Sequence, residues 1–312
     1  MKLTMRTYQN EEDYWRIREF LRQVMILNNR RELSWHVARL DYWWWFVNPH
    51  FEKKLPQETL FLWETEDSEI AAVLAIEDPA AFPQTHPAFR TAELDEEMIA
   101  TAEKYLAQTG QDGRRVEIDI DSEDKQYQAI LSRHGFQRVE RTGEAEVQHR
   151  RSLEGPLPEG PVISGYTIRP LREGLELLER CYASVLGFHE DDLQFARNNR
   201  DHPEWYHGIQ SAPLYRRDLD IVAVAADGSI ASFCTAWFDD VSRTGFLEPV
   251  ATVPAHRKRG LGKAVILEAL RRLKHMGCKV AFVGGFSDRA NALYFSVMGP
   301  ECDILEPWEK IC

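Results

Sequence analysis

TVPAHRKRGLGKA, residues 252–264, sets His256, Arg257, Lys258 and Arg259 side by side ahead of Gly260 and Gly262, in a chain of 312 residues whose formal net charge is −12. Such a cluster in an acidic chain asks for a local anion. Upstream, GFLEPVATV (residues 245–253) reads as a strand; downstream, Val265, Ile266, Leu270, Leu273 and Met276 recur at the spacing of one helix face. A strand, a basic glycine turn and a helix start form a recognisable anion site. The first N–H groups of the helix have no partner of their own, the macrodipole stands behind them, and glycine lets a phosphate approach the backbone. The turn is therefore expected to hold a phosphate or pyrophosphate. The alternative is that both glycines only serve the turn and the basic side chains are solvated. Two common phosphate motifs do not fit: Gly262-Lys263 is followed by Ala264 rather than Ser or Thr, and Val265 stands where a dinucleotide fingerprint needs its third glycine.

Outward from the turn, the chain repeats itself. LTMRTY (residues 3–8) reads as a strand before a helix over about 11–28, and YTIRPL (residues 166–171) echoes it. Residues 59–78 and 220–238 each read as a hairpin, with DSEIAAV matched by DGSIASF. Late in each half come a strand, a helix and a glycine: VEIDID (residues 116–121) to Gly135, after a helix over 94–109, and KVAFVGG (residues 279–285) to Gly299. Arg6 maps to Arg169 with a shift of 163 and Gly135 to Gly299 with a shift of 164, so an internal duplication is the simplest account. Between the copies, SLEGPLPEGPVISG (residues 152–165) has no hydrophobic period and reads as a linker. The expected division is 1–150, a linker over 151–165, and 166–312. A shift of 164 carries Gly260 onto Glu96, so the first copy has lost the glycine turn.

Composition limits the functions available. A length of 312 residues suits two domains of ordinary size. The acidic balance argues against general nucleic-acid binding, and no apolar run approaches the ~20 residues of a membrane span. The first residues have no apolar signal core, so the chain reads as cytoplasmic. Five cysteines (Cys181, Cys234, Cys278, Cys302 and Cys312), without CxxC spacing, suggest free thiols and no metal site. LDYWWWFVNPHF (residues 40–51) is expected to bury two tryptophans in a core or domain interface and leave a third at the rim, or else to wall a ligand.

Arg257-Lys258-Arg259-Gly260-Leu261-Gly262 matches [QR]-x-x-G-x-[GA], and ANALYFSVMG (residues 290–299) is similar to A-x-x-L-Y-x-x-x-G. Together they resemble the GNAT superfamily of N-acetyltransferases over residues 165–312. The departures are Pro300 for the usual phenylalanine, Ser287 where many members have asparagine, and one extra residue before Gly299. Counting back from that glycine would favour Phe295, but Tyr294 is the reading adopted. The resemblance implies an α+β fold of two tandem GNAT-like domains, each a mixed, mostly antiparallel sheet flanked by helices. It also implies acetyl-CoA as co-substrate, bound by Val250, Thr252 and Val253 of a splayed strand, by Arg257, Lys258, Arg259, Gly260, Leu261, Gly262, Lys263 and Ala264, and by Ser287 and Asn291. A thioester carbonyl under attack develops charge that a strand N–H can stabilise, and the attacking amine must lose a proton. Glu248 is the candidate base and Tyr294 the acid for the leaving thiolate, a role the resemblance gives it. The layout, with one loaded and one degenerate copy, is similar to the mycothiol synthase-like branch. The expected acceptor is a small-molecule amine, to which the acidic run Glu190, Asp191 and Asp192 could contribute; a peptide amino terminus and a non-catalytic acyl-CoA-binding module are the alternatives.

Overall fold

The computed structural model describes residues 2–109, 115–139, 146–189, 193–198 and 202–311. Glu190 to Asp192 and Cys312 lie outside these residues. The first half contributes β1 (Thr4–Thr7), β2 (Leu60–Glu64), β3 (Ile70–Glu77), β4 (Ala80–Thr85), β5 (Arg115–Asp121), the two-residue β6 (Gln137–Arg138) and β7 (Glu146–Ser152). The second contributes β8 (Tyr166–Pro170), β9 (Asp220–Ala225), β10 (Ile230–Asp239), β11 (Thr244–Thr252), β12 (Val280–Gly285) and β13 (Cys302–Ile311). Among the described residues these form one sheet in the order β1-β2-β3-β4-β5-β13-β7-β12-β11-β10-β9-β8, with β6 beside β13. Only β4·β5 and β11·β12 are parallel.

The order shows that the sheet does not break at the linker. β7, from the end of the first half, pairs with β12 from Gly285↔Val147 to Val280↔Ser152. β13, from the end of the second, pairs with β5 from Leu305↔Asp121 to Ile311↔Arg115. The two halves thus exchange their last strands, and the division drawn at 151–165 follows the chain but not the sheet.

Side-chain alternation sorts the core. On β9, Ile221 and Ala223 join a cluster under the helix Leu261–His275, while Val222 points to the opposite face. That opposite face carries one core shared by both halves, built from the helices Glu11–Leu27, Val37–Tyr42 and Glu176–Phe188. The first of these is started by Asn10, whose side chain accepts from Glu12 N, with Glu11, Glu12 and Asp13 in its first turn. The aromatic run continues the helix Val37–Tyr42 as a π-helical stretch, Trp43–Glu52. Trp43 alone of its three tryptophans is buried; Trp44 and Trp45 are half-buried. Phe46 packs on Trp205 at 5.2 Å, and a Cβ on Gly208 would collide with the Trp45 carbonyl, so the run lies at the seam between the halves. The expectation of two buried tryptophans gives way because the π-helical spacing spreads consecutive rings around the axis. No helix among the described residues is long and apolar enough to cross a membrane.

Candidate functional site

β11 and β12 are hydrogen-bonded only at Thr244↔Val280, Gly245↔Ala281 and Phe246↔Phe282. Past Phe246, β11 stays with β10 and β12 stays with β7, and a cleft opens between them. At the point of departure β11 carries an irregularity: Leu247 faces Ala236 and Val250 faces Cys234, so Glu248 and Pro249 together oppose Thr235. Trp237 Nε1 holds the bulge by donating to the Glu248 carbonyl at 2.6 Å. Val253 N donates to Ala231 O at 3.0 Å. In an antiparallel pair the backbone alternates, so Val250 and Thr252 turn their N–H groups to the open side. Val253, expected among the cofactor contacts, has its N–H committed to β10.

The turn itself is braced. After a short turn over Pro254–His256, Arg257 Nε donates to Thr252 O at 3.1 Å and its Nη2 reaches Gly187 O at 3.5 Å. Half of this guanidinium's work is therefore to tie the strand end to the helix Glu176–Phe188. Lys258 and Arg259 are exposed. Gly260, with φ +82°, precedes the helix Leu261–His275, and no side chain caps that helix. The N–H groups of Leu261, Gly262 and Lys263 have no intrahelical acceptor, while Ala264 N begins the ladder on Gly260 O at 3.0 Å. Gly262 has a packing role: a Cβ there would sit 3.0 Å from Leu293 and 3.3 Å from Thr252 Oγ1. Ser287 caps the helix Asp288–Met298 by accepting from Ala290 N at 3.3 Å. Asn291 Oδ1 pairs with His149 Nε2 at 3.1 Å.

On the helix Asp288–Met298, Tyr294 is buried and Phe295 is 58% exposed. Burial pushes the Tyr294 phenol well up, and the charges of Cys234 and Glu248 add to this. Its ring meets that of His149 edge-on at 5.8 Å. Glu248 is half-buried at the mouth of the cleft; desolvation raises its carboxyl above the usual range, Arg39 opposes this and Glu146 reinforces it. Arg39 is held by Glu32 at 3.0 Å and by Glu146. A Cβ on Gly284 would strike the Glu146 carboxylate, so glycine lets that acid lie against β12. Arg39, Glu146, Glu32 and His149 all come from the first half. No local motif marks them: the exchanged strand β7 brings Glu146 and His149, and the helix Val37–Tyr42 with the turn before it brings Arg39 and Glu32.

The first half presents the contrasting case. Its helix Ala92–Thr109 starts after Thr91, not at the Glu96 given by a constant shift; the shift drifts because the loops differ in length. Thr91 Oγ1 accepts from Leu94 N at 3.2 Å, and hydrogen bonds at the helix start hold the Glu93 carboxyl below its usual range. Arg90 is engaged by Asp95 at 3.0 Å and Asp124 at 2.6 Å. Aligned cap to cap, Asp124 with Ser287, the place of Tyr294 falls on Leu131, one residue past the Ile130 given by the shift.

The acetyltransferase (GNAT) family matches residues 176–299, which hold the opened strand pair, the basic turn and Tyr294. That likeness lies within the second half of the chain. No curated protein matches the chain in sequence. Among solved structures, a GCN5-related N-acetyltransferase from Sphaerobacter thermophilus is similar with a TM-score of 0.62 at 17% identity, covering 99% of this chain and 95% of that one. A tandem GNAT protein from the clavulanic acid biosynthesis pathway gives 0.64 at 13%, covering 99% and 98%. Saccharomyces cerevisiae N-myristoyltransferase with bound myristoyl-CoA gives 0.55 at 12%, covering 98% and 82%. At such identities the likeness is one of fold, and the fold is α+β with two tandem GNAT units.

Proposed function

We propose that the chain is an N-acetyltransferase that moves the acetyl group of acetyl-CoA to a primary amine of a small molecule by direct attack in a ternary complex. The observation that carries the reading is the coincidence, within the residues that match the family, of an opened strand pair and an uncapped helix N-terminus behind a basic turn. These features fit the co-substrate. Its pyrophosphate would lie against the N–H groups of Leu261, Gly262 and Lys263 with Lys258 and Arg259 alongside, and Ala264 closes the first turn beneath it. Arg257 braces the turn, and Ser287 and Asn291 shape the far wall. Val250 and Thr252 would face the pantetheine arm in the cleft.

Acetyl-CoA supplies an activated thioester; the chain's residues manage protons. Glu248 takes a proton from the acceptor, leaving a nitrogen lone pair to attack the acetyl carbon. The N–C bond forms, the nitrogen releases its second proton to water, the C–S bond breaks, and sulfur leaves with its electron pair to take the Tyr294 proton, which the phenolate regains from water. A strand N–H such as that of Val250 stabilises the charge developing on the carbonyl oxygen. The Tyr294 hydroxyl stays in its O–H form because burial disfavours phenolate, so a proton is ready as charge builds on sulfur. The first half has a capped helix start and Leu131 at the place of Tyr294, which supports one co-substrate site per chain.

Acetylation of amines in a mixed metabolite pool, read by mass spectrometry, tests the reading. With the acceptor so found, Tyr294→Phe keeps the ring's packing and should lower kcat about 100-fold with little change in KM. Full activity in this variant removes the acid assignment. A wild-type chain that binds acetyl-CoA and acetylates nothing is a binding module instead.

A further inference from the structure

The first half contains the counterpart of the acyl-CoA cleft, and its chemistry is reversed. β4 and β5 pair only at Ala80↔Glu117 and Ala81↔Ile118, then part as β11 and β12 do. A cavity of about 430 Å³ opens there. Three arginines line it, and each is bridged by two carboxylates: Arg31 by Asp121 and Asp303, Arg39 by Glu32 and Glu146, and Arg90 by Asp95 and Asp124. No lining cation is left for a phosphate, and the helix start beside it is capped by its own side chain.

The acids are in excess. The carboxylate of Asp119, on β5 just past the last β4 pair, has no hydrogen bond or ion pair among the described residues, although Glu117, Glu146 and Arg39 lie near enough to influence it. Glu32 has a side chain only 4% exposed, and its Oε2 has no hydrogen-bond partner although Oε1 accepts from His36 N. An unpartnered carboxylate oxygen at that depth is costly unless something positive meets it. Trp35 and Phe82, with ring centroids 5.1 Å apart, give the cavity an apolar wall suited to methylenes. Arg39 and Glu146 are also among its lining residues, and the same two groups act on the Glu248 carboxyl.

Resting on the acetyltransfer reading, we propose that this cavity binds the acceptor as an aliphatic di- or polyamine, with one ammonium group against Asp119 and Glu32, its methylenes against Trp35 and Phe82, and a second amine passed beyond Glu146 to Glu248. The two ends have different tasks. The held nitrogen stays protonated among carboxylates, whereas the reacting nitrogen must be neutral, so a second cationic centre lets the acceptor be gripped without disabling its nucleophile.

Spermidine titrated into the full chain by calorimetry, with and without acetyl-CoA, tests this. Saturable binding at one site is expected, weakened about tenfold by Asp119→Asn, with acetyl-CoA affinity unchanged in that variant. Butylamine, with one ammonium group, should bind more weakly than spermidine. Absence of saturable spermidine binding, or equal affinity for wild type and Asp119→Asn, overturns the proposal even if acetyl-CoA binds normally. Asp119-dependent spermidine binding in a chain that fails to bind acetyl-CoA would instead sustain the cavity and sink the acetyltransfer reading.

Discussion

Glu248 shows what a single residue gains from its surroundings. In sequence it is one acid on a strand; in the fold it sits on the bulge where β11 leaves β12, facing Arg39 from the first helical layer and Glu146 from the exchanged strand. Tyr42 and Tyr294 are close enough to respond to its charge. Desolvation raises its carboxyl, so the acid is protonated at a higher pH than an ordinary carboxylate. A base works only when deprotonated, so activity should rise with pH through a limb lying above the usual 4.5 of a glutamate. Glu248→Gln should lower kcat/KM, abolish that limb and recover part of the activity at high pH, where the amine is already neutral. A loss independent of pH would make Glu248 a structural residue. Gly260 stands out by its place in the basic turn, whereas spacing from Gly299 favours Phe295 and only the resemblance points to Tyr294, which the fold buries while leaving Phe295 exposed. Arg257 could not be fully read, because beside its local bond to Thr252 it reaches Gly187, on a helix lying 70 residues away in sequence.

At the scale of elements, hydrophobic period and turn signals located the first strand and helix of the chain, both hairpins, and the late strand and helix of each half, but not β4, β7, β13 or the helices Val37–Tyr42 and Glu176–Phe188. They did not reveal which strand pairs with which. β7 and β13 alternate like ordinary strands, and nothing local says that each completes the sheet of the other half. Deleting β13 should therefore harm the first half as well as the second. Removal of residues 301–312 would leave β5 and β7 with bare edges at the centre of the sheet. That chain is expected to be insoluble or to lose its cooperative melting transition. A chain cut in the linker, near residue 158, should stay associated when both pieces are made together, because the exchanged strands hold them. Independent folding of each piece as a stable monomer would contradict the exchange.

The whole molecule is a duplicated fold whose halves have diverged toward opposite charge preferences. One opened strand pair leads to a helix start with no cap and exposed Lys258 and Arg259; the other leads to a helix start closed by Thr91 and a cavity whose arginines are all neutralised. The shared core that covers one face of both halves fixes these sites relative to each other. The duplication was visible in sequence and so was the loss of the first turn, but the acidic cavity was not, because its walls come from five separate stretches of chain. Titration of the full chain with acetyl-CoA by calorimetry tests the central claim most directly, comparing wild type with Arg259→Glu and Arg90→Ala. Arg259 is exposed, so its reversal should leave the melting temperature almost unchanged. The account predicts one site per chain, weakened about tenfold or more by Arg259→Glu through repulsion of the pyrophosphate and unaffected by Arg90→Ala. Two tight sites, or an affinity indifferent to Arg259→Glu, would contradict it.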